Sequence, residues 1–466
     1  MRKIVGKGML TAALCALLVT GGVTAAYAQD DTGTFVSGTK INHVGVAAMT
    51  PAEAEERIES FYNGSYTLTI HGRDGAETSL SGPEIGYRVE VAGGLEEILQ
   101  GQNEGGRVSG PSVDNRYQVP MTAVYDEAAL KERLAALPLV TGASPTADAS
   151  IAPWDEETGF VILPETQGNE LDGERLEQAV KQALADGASS LDLESAGCYI
   201  EIQVRADDPA LNAKKDAMNR SASMSLTYTF GERQEVLEGA VIASWLKPGT
   251  GAEMEVDREA AAAFVKTLAE TYDTAGTARV FHTTRGTDVT LTGPYGWTID
   301  QAAETDSLIA AIRAGESGSR EPVYTSQAAS HDGNDYGTTY VEVDIAGQHV
   351  YFYKDGELVW DAPCVTGNLA KNYGTPDGIY GLYYKQKDKV LRGAKQADGS
   401  YEYESPVDYW MPFNGGIGLH DANWRSKFGG TIYETNGSHG CVNLPPSQVK
   451  ELYDYLYKNV PVICHS

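Results

Sequence analysis

Cysteine is scarce in this chain, five in 466 residues, and no CxxC pair or HxxxH spacing occurs. A structural zinc site needs closely spaced thiol and imidazole ligands, so no metal is expected, and nothing in the sequence requires a cofactor. Positive charge is also short: 36 Lys and Arg stand against 65 Asp and Glu, a net charge of −29. Nucleic acid and an anionic membrane surface would repel such a chain at moderate salt, which excludes both as partners. From Asp332 onward 11 basic residues face 17 acidic ones, so most of the excess acid lies upstream and reads as a solvated surface. Beyond the first thirty residues no apolar run is long enough to span a bilayer. What is abundant is length. With 466 residues and 42% hydrophobic content the chain is too long for one core and rich enough to build several, so a multidomain globular protein is expected.

The first residues point to export. Arg2, Lys3 and Lys7 form a basic start, Met9 to Val19 is apolar, and Ala26 and Ala28 give the small-x-small pattern that precedes signal cleavage. Residues 1–28 therefore read as a signal peptide or a retained membrane anchor. Cys15 is not a convincing lipid attachment site, because Leu14 stands where a small residue belongs. Without this segment four cysteines remain: Cys198, Cys364, Cys441 and Cys464. They are widely scattered, and an unpaired thiol in an oxidising compartment tends to be there for its reactivity.

The middle of the chain reads as two α+β modules, at residues 35–215 and 216–320. "TPAEAEERIESFY" opens with Thr50 as N-cap, Pro51 at the first helical position and Glu53 completing a capping box. "YTLTIHGRDGAETSLSG" follows as a hairpin around Asp74-Gly75. The same order returns in a helix capped by Asp257 and a hairpin turning near Arg285-Gly286, which suggests two related units. Composition makes "ASPTADASIAPWDEETG" a linker inside the first module, and residues 321–338 a polar linker after the second. His43, His71 and His282 have no neighbouring thiol or carboxylate in sequence and read as hairpin surface residues. "PYGW", ending at Trp297, is read as local packing in preference to a sugar-stacking surface.

From residue 339 to 466 the pattern changes to strands. Val341, Val343, Ile345, Val350 and Phe352 alternate with polar residues, and turns are expected at Asp355-Gly356 and Pro376-Asp377-Gly378. The helix expected near the end begins at Ser447 as cap and buries Val449, Leu452, Tyr453 and Leu456. The fold class is thus a mostly β domain, sandwich or barrel-like with a C-terminal helix, behind two α+β modules. Cys364 and Cys464 read as buried packing thiols and His465 as a terminal, incidental residue.

Cys441 differs from these, because its neighbours Ser438, His439, Gly440 and Asn443 make a polar, turn-prone loop. His420 follows the apolar strand "GGIGL", and the loop between them is long enough to fold back. A neutral thiol is a poor nucleophile near pH 7, and an adjacent imidazole that accepts its proton makes the thiolate accessible. Either the carboxylate or the backbone carbonyl of Asp421 can orient the ring. Gly440, lacking a side chain, frees nearby amides to face a developing oxyanion. Trp424 and Arg425 stand in a loop able to line a substrate groove. The residues alone reach cysteine acyl transfer or hydrolysis.

The sequence His420, then Ser438-His439-Gly440-Cys441-Val442, resembles the catalytic motif of the L,D-transpeptidase (YkuD-like) family. "VEVDIAGQHVYFYKDGELV", with Gln348, and "CVTGNLAKNYGTPDGIYGL", with Thr366, Gly367 and Thr375, are similar to that family's earlier strands. The resemblance implies a wall enzyme, secreted or anchored outside the cell, whose partners are peptidoglycan stem peptides. It implies that Cys441 attacks the carbonyl of the third stem residue, expels the terminal D-Ala and passes the acyl group to an amine, making a 3→3 cross-link. His420 would be base and then acid, the amides near Gly440 and Cys441 oxyanion donors, and Ser438 and His439 would shape the loop. Asn443 stands where many relatives have arginine, which bears on how the substrate carboxylate is held. The upstream modules resemble the peptidoglycan-binding repeats that precede this domain in Gram-positive proteins. Two alternatives remain: an L,D-carboxypeptidase trimming the same stems, and a non-catalytic wall-binding protein, which would have no need of the His420/Cys441 pair. No protein partner follows from the sequence.

Overall fold

A computed structural model describes residues 5–9, 33–64, 66–110 and 114–466. Of the leader expected at residues 1–28 it describes only Val5–Met9, a strand antiparallel to Met121–Asp126, so that expectation lies largely outside the described residues. Among the described residues no helix is long and apolar enough to cross a membrane. The chain forms two units, Met1–Ser150 with Ile162–Asp208, and Ile151–Val161 with Pro209–Ser466.

In the first unit the helix Pro51–Asn63 begins with the anticipated capping box: the Glu53 amide donates to the Thr50 hydroxyl at 3.3 Å, and the Thr50 amide donates to the Glu53 carboxylate at 2.9 Å. Thr67–His71 and Glu77–Ser81 pair as a hairpin, with Asp74 at φ 58° and Gly75 at φ 74° in its turn. Leu68, Ile70 and Leu80 from the hairpin meet Val180 and Leu184 of the helix Gly173–Ala185 in one core. Across this hairpin His71 faces Glu77 at 3.3 Å, the surface role expected of it.

The second unit includes helices Arg258–Tyr272 and Gln301–Ala314, capped by Asp257 and Asp300, with the hairpin Arg279–His282 and Asp288–Leu291 between them in sequence. Ile151, placed by composition in a linker, is buried here with Met218, Tyr228, Phe230 and Leu268. An apolar side chain within a Pro/Asp/Ser-rich stretch is enough to dock it. The 321–338 segment is also structured: Tyr324–Ser326 pairs with Thr298–Ile299, and Asp335 and Tyr336 are buried.

The C-terminal region contains β1 (Tyr340–Asp344), β2 (His349–Lys354), β3 (Glu357–Pro363), β4 (Gly378–Gly381), β5 (Gln386–Arg392), β6 (Glu404–Asn414), β7 (Ile417–Asp421), α1 (Ile432–Asn436), β8 (Val442–Leu444), α2 (Pro446–Tyr455) and β9 (Pro461–His465). One sheet runs β3-β2-β1-β9-β4 and the other β5-β6-β7-β8. The β2–β3 turn places Asp355 at φ 52° and Gly356 at φ 85°, the paired positive angles that the Asp-Gly signal favours. Val343, Val350, Phe352, Leu419, Val442, Val449, Leu452 and Val462 form the shared core of both sheets and α2. Two details depart from expectation. Helix α2 starts at Pro446 with Pro445 as its cap and no side-chain bond from Ser447, because proline already fixes the first helical turn. And the last strand, β9, enters the middle of its sheet, parallel to β1.

That insertion corrects the reading of His465. Alternation along β1 leaves Glu342 and Asp344 on the polar face, yet both are fully buried, because the upstream hairpin covers them. Thr284 donates its amide to Glu342 at 2.9 Å and its hydroxyl at 2.6 Å, His465 Nε2 lies 3.0 Å from the same carboxylate, and Arg285 pairs with Asp344 at 2.7 Å. Phe281, Leu291, Tyr295, Tyr336, Ile379 and Ile463 pack beside this network. Glu342→Ala strands buried donors and an imidazole together, so it should cost about 3–5 kcal/mol, read as a lower urea midpoint. Thr284→Ala, which leaves the His465 contact intact, should cost less.

Candidate active site

β7 and β8 are parallel neighbours, with Leu419 opposite Val442 and His420 opposite Asn443. Cys441 immediately precedes β8, so it stands at the end of the strand next to the one that carries His420.

His420 is 3% exposed, and its Nδ1 lies 2.7 Å from the backbone carbonyl of Asp421. A carbonyl only accepts, so Nδ1 carries the proton and Nε2 keeps its lone pair. The alternative left open by the sequence is resolved in favour of the carbonyl: the Asp421 carboxylate accepts from the Tyr409 amide at 2.8 Å and holds β6 to β7. Burial lowers the proton affinity of His420, and the Arg425 charge works in the same direction, against the opposing pull of Asp421. The imidazole is neutral at pH 7. Burial also pushes the Cys441 thiol up to about 11, and its Sγ points toward the Gly416 carbonyl at 3.6 Å. Burial thus favours the neutral form of both the thiol and the imidazole.

The loop before Cys441 is held from both sides. The Ser438 hydroxyl donates to the Cys441 carbonyl at 2.5 Å and accepts the Gly440 amide at 3.0 Å. That amide, expected to face an oxyanion, is thereby engaged inside the loop. Thr375 donates to the Gly440 carbonyl at 2.8 Å and accepts from the Gly367 amide at 3.1 Å, while Gln348 donates to the Thr366 hydroxyl at 2.6 Å. His439 does not join His420: its ring lies between Tyr373 and Tyr403, with centroids 4.7 and 4.8 Å away. Asn443 is 1% exposed and bonds through its backbone to Val365, so its contribution is to the scaffold beneath the loop. Gly440 sits at φ +117°, where an added Cβ would also come within 3.0 Å of Ile417 Cδ1. Gly440→Ala should displace the Cys441 thiol and slow any Cys441-dependent turnover by about 10–100-fold, and the strained φ should also lower the unfolding midpoint by a few degrees, read in an activity assay alongside thermal melting.

Trp424 is 48% exposed with its ring 5.8 Å from that of His420, and Arg425 follows it, half-buried. Burial depresses the Arg425 pKa, its Nε is buried without a partner, and it forms no ion pair among the described residues. A cation left unpaired near His420 is suited to an anionic group. Tyr373 and Tyr403 were not anticipated from the sequence, since aromatic residues in distant loops carry no local sign that they flank a histidine.

The chain is similar to several known proteins. Residues 338–464 match the L,D-transpeptidase catalytic domain (YkuD) family and residues 210–320 a peptidoglycan-binding domain family. A crystal structure of a cysteine-to-serine mutant of an Enterococcus faecium L,D-transpeptidase is 35% identical, covering 54% of this chain and 98% of that one, with a TM-score of 0.44. The solution structure of the catalytic domain from an E. faecium L,D-transpeptidase is 42% identical over 27% of this chain and 96% of that one, with a TM-score of 0.25. An L,D-transpeptidase from Mycobacterium smegmatis is 25% identical over 28% of this chain and 59% of that one, with a TM-score of 0.24. No curated protein matches the chain.

Proposed function

Because this chain belongs to the L,D-transpeptidase family, with that family's catalytic domain at residues 338–464 behind a peptidoglycan-binding domain at 210–320, we propose that it cross-links peptidoglycan outside the cell through a Cys441 thioester. The observation that carries the reading is the fixed tautomer of His420, which leaves Nε2 as an acceptor on β7, the neighbour of the strand that Cys441 leads into.

The chemistry follows from the protonation states. Cys441 and His420 begin neutral, so the thiol proton moves to His420 Nε2 as sulfur attacks the acyl carbon of the third stem residue. The new S–C bond places negative charge on the carbonyl oxygen. With the Gly440 amide committed to Ser438, the Cys441 amide is the proposed oxyanion donor. Collapse breaks the C–N bond to D-Ala, and His420 returns the proton to the departing amine. An amine from a second stem then attacks the thioester, gives its proton to His420 and releases the sulfur, which is reprotonated. Arg425 is the proposed partner for a stem carboxylate, taking the part that Asn443, buried beneath the loop, does not play.

The test is to incubate the protein and its Cys441→Ala variant with a disaccharide-tetrapeptide and to weigh the products. Cys441-dependent dimers lacking one D-Ala support transpeptidation. Cys441-dependent tripeptide without dimers moves the assignment to carboxypeptidase, and identical products from both proteins sink both readings.

A further inference from the structure

The second unit contains a cavity of about 360 Å³ remote in sequence from the reacting pair. Arg233, Thr277, Arg279, Trp297, His331 and Asp335 are among the residues lining it, and every lining residue lies between positions 233 and 335. The wall therefore combines the domain at 210–320 with the structured segment that follows it, upstream of the catalytic domain.

Its floor is built from buried charged groups. Arg279 is nine-tenths buried and donates from Nη1 to Asp335 at 2.6 Å and to the Tyr295 carbonyl at 2.8 Å. Asp335, 5% exposed, also accepts from the Thr274 hydroxyl at 2.5 Å. Three atoms of this floor are buried without a hydrogen-bond partner: Arg279 Nε, Asp335 Oδ1 and His331 Nδ1. Buried polar atoms are ordinarily satisfied, so three in one cavity wall point to a polar occupant.

The chemistry of the wall narrows the occupant. A sugar ring has no platform here, because Trp297 is 8% exposed and His331 stacks on it at 3.6 Å with an interplanar angle of 11°. A metal ion is disfavoured, since Asp335 is the one carboxylate in the lining and Arg279 balances its charge; its open Oδ1 suits a hydrogen-bond donor of the occupant. The surplus charge is positive. Arg233 is exposed, rests over the Tyr272 ring at 4.7 Å, and forms no ion pair among the described residues. The planar fork of this guanidinium matches a carboxylate.

We infer that this cavity binds the terminal carboxylate of a peptidoglycan stem peptide, with Arg233 as its ion-pair partner and the Arg279–Asp335 pair as a rigid floor. The inference rests on the proposed wall substrate and adds a second contact point for it, away from Cys441. A site that holds one stem while another reacts raises the effective concentration of strands at the catalytic domain.

The experiment uses the full chain carrying Cys441→Ala and follows the Trp297 indole N–H resonance, identified by its loss in Trp297→Phe. The probes are the tetrapeptide L-Ala-γ-D-Gln-L-Lys-D-Ala and the same peptide ending in a carboxamide. The free acid should shift the resonance saturably, Arg233→Ala should weaken that binding by about tenfold, consistent with a lost charge-assisted hydrogen bond, and the carboxamide should bind the unaltered cavity as weakly as the acid binds the variant. No shift, equal binding of acid and amide, an unchanged affinity in Arg233→Ala, or tighter binding of glycerol phosphate than of the peptide would each overturn the assignment. Turnover is read separately on the chain with Cys441 intact. Normal turnover without cavity binding removes this inference alone, and cavity binding without turnover removes the proposed reaction alone.

Discussion

His420→Ala should lower the proposed Cys441-dependent release of D-Ala by a factor on the order of 10²–10⁴, the range that a positioned general base supplies. The reason lies in the resting state. A preformed thiolate would survive loss of its partner in part, whereas a thiol raised to about 11 has almost no thiolate of its own at neutral pH. His420→Gln, which keeps much of the buried volume, should be as slow as the alanine variant. Asp421→Asn should do far less harm to turnover, because the bond that orients the ring comes from the backbone of Asp421 and not from its side chain. A large loss in Asp421→Asn with an unchanged melting temperature would contradict that division of roles.

The second large effect is on thiol reactivity in the free protein. With the Cys441 pKa at about 11, the thiolate fraction grows about tenfold for each pH unit below that value. Alkylation by iodoacetamide should therefore accelerate about 100-fold between pH 7 and pH 9. The other described cysteines, Cys198, Cys364 and Cys464, are buried, and the Cys441 signal is taken as the part of the alkylation that Cys441→Ala removes. The sign is fixed by burial: desolvation disfavours the charged thiolate and also disfavours the charged imidazolium, so both groups are driven to their neutral forms. A rate that is flat from pH 6 to pH 9 would indicate a thiolate–imidazolium pair and overturn the proton-transfer sequence.

Much of the architecture was legible from local pattern because local chemistry decides it. The Thr50 capping box, the Asp257 cap and the Asp355-Gly356 turn each satisfy backbone groups within a few residues, and all appear as read. The places of His420 near a strand end and of Cys441 after a glycine-containing loop were legible for a related reason, since both are written in short segments. What sequence pattern could not show depends on distant pairing. Glu342 and His465 are 123 positions apart, and only insertion of the last strand beside β1 joins them. Nor could pattern distinguish the Asp421 carboxylate from its carbonyl, or show that Ser438 occupies the Gly440 amide. Ile151 shows a third limit, since one apolar side chain docked a stretch whose average composition reads as linker.

The account turns on a covalent bond to one sulfur, and intact-protein mass spectrometry during turnover reads that bond directly. Brief exposure to a disaccharide-tetrapeptide without an acceptor should add the mass of the disaccharide-tripeptide acyl group, the stem less its terminal D-Ala, to the protein and leave Cys441→Ala unchanged. D-Ala release with no adduct under rapid quenching, or the same adduct on Cys441→Ala, would contradict a Cys441 thioester.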